Sequence, residues 1–83
     1  MMSSDVHVQR DDLPAGVRLT CSWDGSWFYV HYEGQVRGVW LDEDGRHSYG
    51  KPCGSSYITL DSGYWEIDDA INAAINDMMG INA

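Results

Sequence analysis

From Val17 to Trp23, apolar and polar side chains alternate. Val17, Leu19, Cys21 and Trp23 point one way, and Arg18, Thr20 and Ser22 point the other. A period of two predicts a half-buried strand. Asp24-Gly25 then breaks the pattern with a strong hairpin-turn signal. Trp27 to Tyr32, aromatic or β-branched apart from His31, reads as a second strand. Glu33-Gly34-Gln35 reads as the next turn. Val36 to Leu41 predicts a third strand, closed by Asp42-Glu43-Asp44-Gly45. Short loops between consecutive strands predict an antiparallel meander. Arg46 to Ser56, rich in Gly and Ser with one Pro, reads as a loop, and Tyr57 to Leu60 as a short fourth strand.

The period changes after Leu60. Ile67, Ala70, Ile71, Ala74, Ile75 and Met78 recur at helical spacing, which predicts an apolar stripe on a helix near Trp65–Met79. Asp61 or Ser62 is the expected N-cap. Glu66, Asp68 and Asp69 suit the positive end of the helix dipole, and Gly80 is a stop signal. Residues 1–16 are polar and end in Leu13-Pro14-Ala15-Gly16. They read as a flexible arm, or one that adds a short strand at Val6–Val8. The expected architecture is α+β: one domain over residues 1–83, a three- to four-stranded antiparallel meander with one C-terminal helix packed on one face.

One helix covers one face of such a sheet. If Val17, Leu19, Cys21, Phe28, Val30, Tyr32, Val39 and Leu41 face it, the opposite face carries Trp27, Tyr29 and His31 beside Val36, Gly38 and Trp40, with Arg18, Thr20 and Ser22 completing it. Tyr and Trp are enriched at binding hot spots. Trp27, Tyr29 and Trp40 are therefore candidate partner anchors, and Trp40→Ala is expected to weaken binding while sparing the fold. Three other readings stay open on the pattern alone. The arm could cover the rings, two copies could pair through them, or a one-residue shift of register could exchange the faces.

Charge narrows the choice of partner. Five Lys and Arg against thirteen Asp and Glu give a formal net charge of −8. That balance repels a phosphate backbone and an anionic membrane surface, and it favours a protein partner with a basic, nucleic-acid-binding surface. Solubility alone is the competing use of the same charge. Asp42, Glu43 and Asp44 at a hairpin tip, with Asp68 and Asp69 on the helix, are the candidate acidic contacts; such carboxylates can imitate phosphates. No run approaches the ~18 apolar residues of a membrane span. Met1 to Arg10 lacks the apolar core of a secretion signal, so a cytoplasmic location is expected. In a reducing compartment Cys21 and Cys53 are expected as free thiols, though the pattern leaves a bridge open.

Catalytic and metal chemistry find little support. His7, His31, His47, Cys21 and Cys53 share no metal-ligand spacing, so neither a metal nor another cofactor is expected. Asp42, Asp44 and Gly45 lack the later ligands of a calcium loop. Cys53 lies near His47 in sequence, but a nucleophile also needs an orienting group and an oxyanion site. A domain of this length buries only about 60% of its unfolded surface, which leaves little room for them. A binding role is expected in place of an enzymatic one.

In length, acidic surplus and the pattern Ile67-Asp68-Asp69-Ala70-Ile71-Asn72-Ala73-Ala74-Ile75, the chain resembles the small acidic anti-CRISPR proteins of phages and mobile elements. The resemblance is one of general character, with no shared motif. It implies stoichiometric inhibition in a host bacterium: binding to a type I CRISPR–Cas surveillance complex and occlusion of its duplex-entry or PAM-reading surface. The strand-strand-strand-helix order and Asp68-Asp69-Ala70 also resemble HicB-type antitoxins. That likeness implies neutralisation of a basic RNA-cleaving toxin. The separate DNA-binding tail of many such antitoxins has no counterpart here.

Overall fold

The computed structural model describes residues 6–80. Met1 to Asp5, the start of the expected arm, lie outside the described residues. Six strands form one sheet: β1 (Val6–His7), β2 (Arg18–Cys21), β3 (Trp27–Tyr32), β4 (Gln35–Leu41), β5 (His47–Cys53) and β6 (Ser56–Tyr64). Each pairs antiparallel with its neighbour in the chain, in the order β1-β2-β3-β4-β5-β6. Among the described residues one helix, α1 (Ile67–Met79), follows.

The α+β class, the antiparallel meander and the C-terminal helix agree with the expected architecture. The strand count does not: the sheet has six strands, not three or four. Part of the arm adds a strand at its edge, Val6 opposite Cys21 and His7 opposite Thr20. The expected loop at residues 46–56 is largely β5, and the fourth predicted strand extends through Asp61 and Ser62 to Tyr64. Those two residues therefore do not cap the helix. Glu66 holds the N-cap position without a side-chain hydrogen bond.

Gly50 explains why β5 escapes the alternation pattern. A β-carbon there would lie 2.1 Å from the Ile58 carbonyl oxygen and 3.0 Å from the Trp40 ring. The pairing of β5 with β6 is irregular around Tyr49 and Gly50, so the partner backbone comes unusually close. A residue without a side chain fits that approach. Pro52, which cannot donate to a ladder, stands next to the Cys53-Gly54-Ser55-Ser56 turn.

The core lies between sheet and helix. Leu19, Val30, Val39 and Tyr49 from the strands meet Ala70, Ile71, Ala74, Ile75 and Met78 from the helical stripe, all buried. Directly opposed residues of antiparallel strands share a face. The register therefore puts Arg37, opposite Val30, on the helix side. Its guanidinium is largely buried and bonds the Asp77 carboxylate at 3.0 Å, tying the C-terminal half of α1 to β4. Gly80 ends the helix in the left-handed conformation, its N–H donating to the carbonyls of Asn76 and Asp77.

The β2–β3 turn is built around Asp24. Its carboxylate accepts hydrogen bonds from the Ser22 hydroxyl, the Ser26 N–H and the Ser26 hydroxyl. These donors favour the ionised form and hold Asp24 at a pKa of about 2, below the ordinary 3.8. A depressed carboxylate pKa adds stability that is present above the unfolded value and lost as pH falls through the folded one. Asp24→Asn should therefore flatten the loss of stability between pH 3.8 and about 2, read as urea midpoint against pH. An unchanged acid slope in the variant would show that the turn does not sense this carboxylate.

Candidate functional site

On the face away from the helix, the paired positions are Trp27 with Trp40, Tyr29 with Gly38, and Gly38 with Gly50. Trp27 and Trp40 stack with centroids 4.8 Å apart and planes 28° from parallel. Tyr29 stacks beside Trp27 at 6.2 Å. Tyr57 of β6 leans in from the other side, 5.3 Å from Trp27 and 6.2 Å from Trp40. The glycines form the floor under these rings. A β-carbon on Gly38 would come within 2.8 Å of Tyr57 and 3.1 Å of Trp27. All four aromatics are half-buried, so the cluster is a partly self-packed layer with exposed ring faces and edges.

The structure thus brings Trp27, Tyr29 and Trp40 together on the helix-free face. The segment after β1 does not cover them: Val8, Leu13 and Val17 pack against the helix-side core. On the same face the Thr20 hydroxyl and the His31 Nε2 lie 3.0 Å apart.

The acidic candidates separate into different roles. Asp42 accepts a hydrogen bond from the Trp40 indole N–H at 3.0 Å and another from the buried Ser48 hydroxyl. It braces the aromatic layer and is not a free surface charge. Glu43 and Asp44 are exposed at the tip, where Asp44 accepts the Arg46 N–H. Asp68 and Asp69 are exposed on the first turn of α1, across the sheet from the aromatic layer. The hydrogen bonds that Arg10 donates to the Asp12 carboxylate do most to raise its guanidinium's pKa, and the nearby charge of Asp68 adds to the effect. Sequence reasoning grouped these two with the aromatics, but the helix carries them to the other side.

Three aromatic side chains escaped the sequence reading. Tyr57 opens a strand whose facing can be assigned only once β5 is recognised between it and β4. Trp23 extends the alternation of β2 and so reads as helix-facing; β2 ends at Cys21, and Trp23 is 77% exposed in the turn. Trp65 falls between β6 and α1 and is 64% exposed, with the Arg46 guanidinium 4.4 Å from its ring centre. Leu41, expected under the helix, is 59% exposed. A cleft of about 550 Å³ opens at this end of the sheet, lined by Trp27, Phe28, Trp40, Leu41, His47 and Ile67 together with Gly25 and Ser26.

Cys53 and His47 stand at opposite ends of β5. Six strand residues span roughly 20 Å, so the two cannot act as a pair. Both cysteines are free thiols, Cys21 half-buried and Cys53 exposed. Among the described residues no three His, Cys, Asp or Glu side chains gather closely enough to hold a metal ion. No described helix is long and apolar enough to cross a membrane. Comparison with protein-family models, curated proteins and solved structures finds no match to this chain.

Proposed function

We propose that this chain is a small inhibitor that acts by binding, not catalysis, and that it occludes a basic, nucleic-acid-binding surface on a protein partner. The observation that carries the reading is the uncovered sheet face. Its aromatic layer of Trp27, Tyr29, Trp40 and Tyr57 adjoins a hairpin tip bearing exposed Glu43 and Asp44. Such a surface joins desolvated aromatic anchors to charges that orient encounter. The likeness in kind to anti-CRISPR proteins supplies the concrete target, a type I CRISPR–Cas surveillance complex in the bacterial cytoplasm whose PAM or duplex site would be blocked. A second copy is a weaker candidate partner, because each chain carries a formal charge of −8.

The deciding experiment is a tagged pull-down from bacteria expressing type I effector complexes, washed at low and high salt. Recovery of an effector subunit that is lost at high salt supports the proposal. Recovery of a small basic ribonuclease in its place would move the assignment to a HicB-like antitoxin. With the partner in hand, Glu43→Gln combined with Asp44→Asn should slow association about threefold and flatten its salt dependence, because rim charges act mainly on the on-rate. Asp42 is left intact in that variant because it holds Trp40 and Ser48. An unchanged association rate would reduce the tip to a solvated turn.

A further inference from the structure

The β2–β3 turn, the β4–β5 turn and the start of α1 meet at one end of the sheet. Alternate turns of an antiparallel meander share an end, and Tyr64, just before the helix, pairs with His47. Among the described residues, three exposed apolar side chains are spread along that end: Trp23, Leu41 and Trp65. The cleft opens between their loops. Carboxylates stand within a few residues of each: Asp24 beside Trp23, Glu43 and Asp44 beyond Leu41, and Glu66 after Trp65. Trp65 already carries one guanidinium, that of Arg46, yet it keeps 64% of its surface exposed. The chain itself thus displays the chemistry that an aromatic surface with an acidic rim accepts.

We propose that this end of the sheet is an arginine-binding surface, on which guanidinium groups of a basic partner stack against Trp65 and Trp23 beside the cleft while the carboxylates of Asp24, Glu43 and Asp44 meet their charge. The inference deepens the reading of a basic partner by naming the side chain recognised. Arginine fits better than lysine. Its planar, weakly hydrated group stacks on aromatic faces, whereas an ammonium holds its water more tightly. Arg46 is then an internal occupant: it covers one face of Trp65 and adds a like charge to the surface a partner arginine must approach.

The test titrates the full chain with two short peptides of equal length and charge, one carrying three arginines and one three lysines. The readout is the indole N–H signals of the four tryptophans. The arginine peptide should shift Trp65 and Trp23 first and bind about fivefold tighter than the lysine peptide. Trp65→Ala should remove that preference, and Arg46→Ala should tighten arginine binding. Thermal melts check that each variant is folded; should Trp65→Ala lose stability, Trp23→Ala and Arg46→Ala decide the matter. Equal affinity for both peptides, or shifts spread evenly without Trp65 and Trp23, overturns the inference and leaves only diffuse charge attraction. That outcome does not touch the inhibitor reading, which the effector pull-down tests by itself. An arginine preference with no effector recovered would leave this surface standing and sink the proposed target.

Discussion

Gly50→Ala is expected to destabilise the domain by about 3 kcal/mol, toward the upper end of what overpacking costs. The added carbon meets the Ile58 carbonyl oxygen at 2.1 Å, and backbone in a paired strand cannot yield as a flexible side chain can. Its other neighbour is the Trp40 ring, so relief in that direction disturbs the aromatic layer. Domains of this size hold about 0.05–0.15 kcal/mol per residue, so the loss is a large part of the total. The melting temperature should fall by roughly 15 °C. Gly54→Ala is the control. It has a positive φ of 61° but open space around it, so it should cost only about 1 kcal/mol. Urea unfolding of both variants checks the contrast. Equal midpoints would mean that β5 and β6 do not approach as closely as described.

Trp40→Ala is expected to cost about 2–3 kcal/mol, somewhat less than a fully buried Trp truncation because the ring is half-exposed. The substitution removes the stack on Trp27 and the edge contact with Tyr57. It also takes from Asp42 its indole donor. The alternation pattern by itself suggests that this variant spares the fold. The stacking geometry says otherwise, because the anchor candidates also support one another. Trp40→Phe keeps a ring on the Gly50 floor and should lose about 1 kcal/mol, mainly through the missing hydrogen bond. Denaturation midpoints of the two variants separate these contributions. A Trp40→Ala protein as stable as the parent would show that the layer bears no structural load. Partner binding should be scored for this residue only under conditions where the variant is fully folded.

Much of this fold could be read from periodicity. Strands β3 and β4 carry clear apolar and aromatic runs, Glu33-Gly34 forms the tight turn between them, and the helical stripe matches the buried residues of α1. Alternation alone left the choice between the two sheet faces open; the strand register and the helix-side core decide it. What escaped depends on contacts between distant segments. Strand β5 presents Ser48, Gly50 and Pro52 in place of apolar residues, since Ser48 bonds Asp42 and Gly50 must clear Ile58. Asp61 resembles a helix cap, yet in the edge strand its carboxylate accepts the Tyr64 hydroxyl and the Ser62 N–H. Asp68 and Asp69 count toward the charge surplus like any acidic residues, although their place on the helix already set them across the sheet from the aromatic layer.

The strand order has a kinetic consequence. Every ladder joins segments adjacent in the chain, so no pairing waits on the closure of a long loop. Mean sequence separation between contacting residues governs much of the variation in folding rate, and closure entropy rises with the length enclosed. A sheet zipped hairpin by hairpin, with the helix folding back last, belongs at the fast end for a β-rich domain. Its inner strands are then unpaired only briefly after synthesis, which limits misassembly when many copies are made at once.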